Sequence, residues 1–374
     1  MRIAFANHTA IKGSGIDHVA HNLAKELGKR HEVNVFAYQT EGEGDYYNLN
    51  RIPLPFSNNR IVSGILSPMI IPSVAAMRRE FNAHDVVITQ MYPANLLPLI
   101  PKHKIKSVYV EWGVQATNLF PKPHEKAYIK LIQEAHRYAC RKSDIVIAPS
   151  LEVFNNIRKY NDNTVNLNLY GIDFERFNFD ITDKEIVYKK YPQVRDKKVI
   201  IFTGRISPHK NIHLLIDAMS DLLADCPNTL LMIVGRNSFP DYQKQLNAQV
   251  KKLGIEKHVI FTGLVDSVVP YLKCADIYCV ASAWEGYLNP EPMAMKLPIV
   301  CYDAPIHRET VVQGQTGILV NKLTPAAFSG ILIGLLHHDF MRLDMGDKAY
   351  DTALAKYDYT LIVKKLEKVI GCRM

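Results

Sequence analysis

Two cations flank a short turn in the middle of the chain and could neutralise a diphosphate. Arg205 and Lys210 bracket Ser207-Pro208, directly after the predicted strand Lys198–Thr203. Arginine offers a phosphate two parallel donors, and lysine adds a compact point charge. At the carboxyl end of a strand, these side chains suit a departing diphosphate, whose growing charge preorganised cations stabilise.

Two acids further along the chain could bind polar ligand groups. Glu285 lies in a Trp-Glu-Gly turn, and Glu291 follows Pro290 at the start of a predicted short helix, where proline is tolerated because its missing N–H has no partner there. Residues 297–302 and 318–320 are predicted strands. Because open α/β sheets bind ligands at the carboxyl ends of their strands, this stretch predicts a ligand site.

Strands and helices alternate through two consecutive halves of the chain, which predicts an α/β protein with two Rossmann-like domains. The first half predicts elements over residues 2–7, 17–28, 32–38, 85–89, 106–110, 124–142 and 144–148. The second half predicts them over residues 198–203, 212–225, 229–235, 258–263, 276–280, 297–302 and 318–320. We expect domains at residues 1–172 and 173–355, and a C-terminal helix within 356–374 that packs on the first domain.

Three local features add further expectations. Gly13 and Gly15 precede the first helix, where glycines let backbone amides approach an anion. The side chain of Asn211 is expected to cap the helix that follows it. Residues 61–77 are apolar and are followed by Arg78 and Arg79, which fits either a packed helix–turn or a patch on an anionic membrane surface.

Composition limits the function classes. The 374 residues are 48% apolar and 22% charged, as in soluble globular proteins, and no apolar run is long enough to cross a bilayer. The absence of a signal-peptide pattern predicts a cytoplasmic protein, with contact at the inner face of the membrane as a further option. The net charge is +8, and residues 1–172 hold 20 Lys/Arg against 14 Asp/Glu, which suits an anionic partner.

Other partners and cofactors are not predicted. The sequence has no dense basic run or base-stacking motif, so nucleic acid is not expected. The six cysteines form no Cys-x-x-Cys pair and are expected to be reduced thiols. No Asp-x-Asp motif is present, so we expect no metal at the diphosphate.

Several runs of sequence resemble, in order, the family 4 retaining glycosyltransferases, which have the GT-B fold. GRISPHKN is similar to the phosphate-binding turn of that family, and SDIVIAPS with LYGIDFERF resembles its domain-crossing segment. TLLMIVG, KHVIFTG, CADIYCVAS, EPMAMKLPIV and RETVVQGQTGILV resemble successive parts of its nucleotide-binding domain. The resemblance covers nearly the whole chain and implies two facing Rossmann-like domains with a cleft between them.

The resemblance implies a role for each candidate side chain. Arg205 and Lys210 would hold the donor diphosphate, and Glu285 would lie near the donor sugar and phosphate, which makes these three the expected catalytic residues. Glu291 would bind the ribose hydroxyls. The remaining residues expected around the donor are Gly15, Gly204, Gly235, Tyr287, Leu288 and Asn289.

Two positions differ from the pattern of the family. Only five residues separate Glu285 from Glu291, where the family usually has seven. Near the end of the fourth strand, Glu111 or Trp112 takes the place of a frequent histidine that contacts the donor sugar, so both are expected as sugar or acceptor contacts. Glu309, in a loop expected to line the sugar pocket, is a third such contact.

The implied function is a retaining transfer of a sugar from a UDP- or GDP-linked donor to the hydroxyl of a glycan or lipid-linked acceptor, in glycan, glycolipid or cell-surface polysaccharide assembly. The nucleotide sugar is a co-substrate, and no other cofactor is expected. Two alternatives remain open: another GT-B activity such as an epimerase or inverting transferase, and a catalytically silent nucleotide-sugar-binding subunit of a glycosylation complex. A dehydrogenase is disfavoured because no Gly-x-Gly-x-x-Gly follows a strand.

Overall fold

Two compact units make up the chain. The computed structural model describes residues 1–11, 15–52, 71–99, 105–113, 123–283 and 288–372. Unit 1 comprises Met1–Tyr170 and Tyr359–Met374, and unit 2 comprises Gly171–Asp358. Each unit contains its own parallel sheet with helices, as the alternating apolar pattern predicts.

The sheet of unit 1 has seven strands in the described part of the chain, in the order β3-β2-β1-β4-β5-β6-β7. The strands are β1 Arg2–Ala10, β2 Glu32–Thr40, β3 Asn48–Arg51, β4 Val86–Thr89, β5 Lys106–Val110, β6 Ile145–Ala148 and β7 Thr164–Asn166. Residues 3–6 of β1 are fully buried, because helices cover both faces of a parallel sheet and the central strands are therefore apolar throughout.

In the described part of unit 1, the α-helices before residue 171 are α1 Gly15–Gly28, α2 Ile71–Asn82, α3 Pro123–Lys142 and α4 Leu151–Ile157. Val19, Leu23 and Leu27 of α1 are buried in one core cluster with Ile3 and Phe5 of β1. Their spacing of four residues places the three side chains on one helix face, which is the pattern that predicts this helix.

The sheet of unit 2 has the order β10-β9-β8-β11-β12-β13. Its strands are β8 Lys198–Thr203, β9 Thr229–Val234, β10 Val259–Gly263, β11 Ile277–Val280, β12 Ile299–Tyr302 and β13 Gly317–Val320. Its helices are α5 Glu185–Lys190, α6 Ile212–Asp225, α7 Pro240–Leu253, α8 Val269–Lys273, α9 Glu291–Ala294, α10 His307–Thr310, α11 Pro325–His337 and α12 Asp339–Tyr357. The strand order reverses direction at β8, which has β9 on one side and β11 on the other.

The last helix, α13 Tyr359–Ile370, belongs to unit 1. Its buried residues Ile362, Val363 and Leu366 join the same core cluster as α1 and β1. Their helical spacing gives α13 one apolar face, and that face is buried in the unit where the chain begins.

One local prediction is wrong and one falls partly outside the described residues. Asn211 precedes α6, but its side chain makes no capping hydrogen bond to the helix. Its side-chain amide instead donates a hydrogen bond to the carbonyl of Ala281. Of the apolar segment 61–77, residues 61–70 lie outside the described residues; α2 covers the rest, and Arg78 and Arg79 are exposed on it.

Candidate functional site

The point where the strand order of unit 2 reverses brings two predicted segments together. The cationic turn follows β8, and the segment that leads to Glu291 follows β11. These two strands are neighbours, with Ile200 opposite Ile277. A parallel sheet places the carboxyl ends of adjacent strands at one edge, so the cations and Glu291 share the position at which such sheets bind ligands.

The cationic turn after β8 is held by its backbone. Ile206 N–H donates to the carbonyl of Arg236 at 2.9 Å, and Lys210 N–H donates to Ser207 at 3.0 Å. Arg205 is exposed, and Lys210 is half-buried. The fixed backbone therefore presents two cations at the edge of the sheet, as diphosphate binding requires.

Two serines at this edge have buried hydroxyls. Ser207 and Ser282 are both 0% exposed, and their Oγ atoms have no hydrogen-bond partner among the described residues. One follows β8 and the other follows β11. Neither serine stands out in the sequence, because a serine beside a proline or at a strand end is common.

Gly204 and Gly235 directly follow β8 and β9 and allow these strand ends to approach closely. Their φ angles are 148° and 150°, and a Cβ on Gly235 would lie 1.9 Å from the carbonyl oxygen of Gly204. Gly204 N–H donates to Val234, and Gly235 N–H donates to Gly263. Their amides thus link neighbouring strand ends, and the missing side chain of Gly235 allows its close approach to Gly204.

The segment that begins α9 orients its acid. Asn289 Nδ2 donates to Glu291 Oε2 at 2.6 Å, and Glu291 N–H donates to Asn289 Oδ1 at 3.0 Å. Asn289 is exposed and Leu288 is 2% exposed. Asn289 therefore holds the Glu291 carboxylate at the helix start, where the helix dipole also favours an acid. Glu285 and Tyr287 lie outside the described residues.

The loop after β12 is fixed by an ion pair. Arg308 donates to both oxygens of Asp303, at 2.6 and 2.8 Å. This contact lowers the pKa of Asp303 and raises that of Arg308. Glu309 is half-buried, and its carbonyl accepts a weak hydrogen bond of 3.4 Å from the hydroxyl of Tyr357.

In unit 1, Glu111 at the end of β5 is bonded on both carboxylate oxygens. Oε2 lies 2.7 Å from Tyr109 Oη and 2.7 Å from His136 Nδ1, and Oε1 accepts from Gly113 N–H at 2.7 Å. Glu111 is 3% exposed. Burial alone would raise its pKa, but His136 and the three hydrogen bonds together lower it. The carboxylate is thus ionised, and its partners Tyr109, His136 and Gly113 belong to the same unit.

Trp112 also contacts residues of unit 1. Its indole N–H donates to Gln90 Oε1 at 3.1 Å, and its ring makes an edge contact with Tyr170, with 4.9 Å between ring centroids. The indole is 6% exposed. Trp112 packs in the core cluster that contains Val108 and Val110, whereas Glu111 bonds to Tyr109, which belongs to a different cluster.

Gly15 opens α1, and Asp17 in the first turn of that helix is bonded to residues at the end of β1. Asp17 Oδ2 accepts from Thr9 Oγ1 at 2.7 Å and from Ile11 N–H at 3.4 Å. Asp17 is 7% exposed. Sequence reasoning passed over this acid, although an acid in a first helical turn is a recognisable signal. Gly13 lies outside the described residues.

The described ranges contain neither a cluster of metal ligands nor a membrane-spanning helix. No group of three His, Cys, Asp or Glu side chains among these residues could hold a metal ion. None of the helices in the same ranges is long and apolar enough to span a membrane. The six cysteines are free.

Two family models match consecutive parts of the chain. Residues 13–176 match Glycosyltransferase Family 4, and residues 183–352 match Glycosyl transferases group 1. The first match falls largely in unit 1, and the second falls in unit 2. Together they span most of the chain.

Known proteins agree with these matches. The putative glycosyltransferase YtcC of Bacillus subtilis is 29% identical over 191 residues, which is 49% of this chain and 47% of the relative. A phosphatidyl-myo-inositol mannosyltransferase of Mycobacterium leprae is 29% identical over 185 residues, which is 48% and 47% of the two chains. The chain thus spans about half the length of the curated relatives it matches.

A solved structure shows the same fold over the full length. The crystal structure of HepE from Anabaena in complex with UDP-glucose has a TM-score of 0.80 and 18% identity, with 100% of each chain covered. The predicted α/β fold of the GT-B type, with two Rossmann-like parallel sheets, is therefore confirmed. The chain belongs to the glycosyltransferases of group 1 and family 4.

Proposed function

We propose that the protein transfers a sugar from a UDP- or GDP-linked donor to an acceptor hydroxyl, with retention at the anomeric carbon. The observation that carries the proposal is that Arg205 and Lys210 follow β8, while the Asn289–Glu291 pair lies in the segment after the neighbouring strand β11. Cations on one strand end suit a diphosphate, and an oriented carboxylate on the next suits the paired hydroxyls of a ribose. The UDP-glucose bound by HepE supports a nucleotide sugar as the ligand.

The proposed chemistry is the one that the resemblance to retaining glycosyltransferases implies. The bond between the anomeric carbon and the diphosphate oxygen breaks, and the acceptor oxygen bonds that carbon from the same face. The acceptor proton passes to the departing diphosphate oxygen, so no further reactant is needed. Arg205 and Lys210 stabilise the charge that grows on the leaving group, which is the largest contribution such a site makes. Glu285 acts beside the donor sugar and phosphate.

The remaining candidates take supporting roles. Gly204 and Gly235 leave room for the donor at the strand ends, and Leu288, Asn289 and Tyr287 line the nucleotide. Gly15 lets backbone amides at the start of α1 approach an anion. Glu309 contacts the donor sugar or the acceptor. No cofactor besides the nucleotide sugar takes part.

We further propose a glycan or lipid-linked acceptor. The excess of cations in residues 1–172 supports an anionic acceptor, and the phosphatidyl-myo-inositol relative offers one model of a lipid acceptor. Exposed Arg78 and Arg79 of α2 could then contact an anionic membrane surface. Binding to anionic vesicles at low salt that is unchanged after replacing both arginines by glutamine would rule out this patch.

The test begins with thermal melting in the presence of UDP- and GDP-sugars, because a ligand of the native state raises the melting temperature. With the donor identified, transfer is assayed for Arg205→Ala and Lys210→Ala, and NMR of the product gives its stereochemistry. We expect kcat to fall about 100-fold or more in both variants. Lys257→Ala is the matched control, because this exposed lysine precedes β10 at the opposite edge of the same sheet. Wild-type transfer rates in the Arg205 and Lys210 variants would refute the assignment.

One observation favours a second candidate function, that of a nucleotide-sugar-binding subunit without transfer activity. Glu111 stands where the resemblance places a sugar-contacting histidine, and its carboxylate is bonded within unit 1. Tight donor binding together with no transfer or donor hydrolysis, across glycan and lipid acceptors, would support this second function over the first.

A further inference from the structure

Asn211 joins three pieces of the candidate site through three different groups. Its backbone N–H donates to Pro208 at 3.0 Å and closes the cationic turn. Its carbonyl accepts from Leu214 N–H at 2.9 Å and starts α6. Its side-chain Nδ2 donates to the carbonyl of Ala281 at 3.0 Å, at the end of β11.

The backbone of Asn211 narrows the choice of residue at this position. Its φ of 52° and ψ of 36° are left-handed, a conformation that glycine adopts freely and asparagine tolerates better than most side chains. Glycine would fit the backbone but could not reach Ala281. An ionised aspartate would reach it but has no hydrogen to donate. Asparagine meets both conditions.

The two ends of this tether belong to the two halves of the proposed donor site. On one side, Asn211 directly follows Lys210. On the other side, Ala281 is 0% exposed and directly precedes the segment that leads through Ser282 to Glu291. The hydroxyls of Ser207 and Ser282 form no hydrogen bond within the described residues, so they add nothing to this link.

We infer that Asn211 is a positioning residue, which sets the place of the Lys210 ammonium relative to the acid-bearing segment. The inference rests on the proposed function, because the two halves are assigned there to diphosphate and ribose. Small displacements matter at such a site, since a shift of about 1 Å can cost roughly 100-fold in rate. Because Lys210 acts on charge that grows as the diphosphate leaves, loss of the tether lowers kcat more than it raises the KM for the donor.

The test compares Asn211→Gly with wild type in two measurements. Hydrogen exchange without any donor reports the tether itself, and we expect faster exchange in residues 205–211 and 281–283. Steady-state kinetics report its role, and we expect kcat to fall about tenfold, with the donor KM within about twofold of wild type, which corresponds to loss of one useful hydrogen bond. Asn211→Asp keeps the size of the side chain and should behave like the glycine variant.

Asn228→Gly is the matched control. Asn228 Nδ2 also donates to a backbone carbonyl of a neighbouring loop, that of Asp196, but it precedes β9 at the amino edge of the same sheet. The Asn228→Gly variant removes the same kind of hydrogen bond, but at the opposite edge of the sheet from the candidate site. A merely structural role for Asn211 would lower the melting temperature of both variants and leave kcat unchanged in both.

Each outcome decides a separate point. Unchanged exchange in Asn211→Gly refutes the tether. Faster exchange in Asn211→Gly together with a wild-type kcat refutes the positioning role. A loss of kcat in Asn211→Asp alone also refutes it, because that loss would come from the new charge beside Lys210. If the wild-type protein transfers no sugar, the proposed function fails, and exchange alone then upholds or refutes the tether.

Discussion

Replacing Glu111 by glutamine removes one negative charge from a buried network and leaves the shape of the side chain almost unchanged. The carboxylate accepts hydrogen bonds on both oxygens, from Tyr109 and His136 on one and from Gly113 on the other. Glutamine has only one acceptor oxygen. Its NH2 group must therefore face a donor on one of the two sides.

The expected loss of stability follows from this mismatch. A buried donor left without a partner costs about 1–3 kcal/mol, and the remaining hydrogen bonds lose the strength that a charged acceptor gives them. We therefore expect Glu111→Gln to destabilise unit 1 by about 3 kcal/mol. This corresponds to a drop of roughly 6–12 °C in its melting temperature.

Differential scanning calorimetry at neutral pH measures this effect. Glu134→Gln is the matched control, because Glu134 lies on α3, the helix that carries His136, and pairs with Arg137 at the surface. The Glu134 side chain is 64% exposed, and exposed ion pairs contribute about 0–1 kcal/mol. Equal melting temperatures for the two variants would refute the reasoning about Glu111.

The same network predicts a dependence on pH. The folded protein lowers the pKa of Glu111 below its ordinary value of 4.5, so its contribution to stability is complete above that pH. The contribution is lost as the pH falls through the lowered pKa, because the unfolded chain then binds the proton first. The stability difference between wild type and Glu111→Gln should shrink below about pH 4.5. A difference that stays constant down to pH 3 would contradict an ionised carboxylate.

Two further changes test the frame of unit 2. Gly235→Ala should lower the free energy of unfolding by about 3 kcal/mol and weaken nucleotide binding, because the added Cβ would lie 1.9 Å from the Gly204 carbonyl oxygen. Gly254→Ala is the control: no described atom lies within 4 Å of its added Cβ, and the loss should be about 1 kcal/mol. Calorimetry and nucleotide-induced melting shifts measure both, and equal losses would contradict the close approach. Arg342→Met should lower the stability of unit 2 by about 2–3 kcal/mol, because the buried guanidinium lies 3.1 Å from Asp276 Oδ1. An unchanged urea midpoint would show that this ion pair contributes nothing.

Local patterns were enough to predict most of the fold. The continuous apolar runs of β8 and β9 are required by a sheet that is covered on both faces, and the four-residue spacing of Val19, Leu23 and Leu27 defines one face of α1. The short edge strands β3 and β7 were not predicted. Their sequences NLNR and TVN are mostly polar, and they pair only because a neighbouring strand offers its edge.

The two series of strands and helices, the cationic turn and the acid at the start of α9 can all be read from the sequence, because each depends on residues close together in the chain. How these residues are used depends on contacts between distant parts of the chain. In the folded protein the Asn211 side chain does not cap α6 but donates to the carbonyl of Ala281, next to β11. The Glu111 carboxylate contacts His136, which is 25 residues away in the chain. Glu291 is also bonded to Asn289, in the segment after β11, the strand beside β8. Contacts of this kind depend on which strands become neighbours, and that is fixed only when the sheet forms.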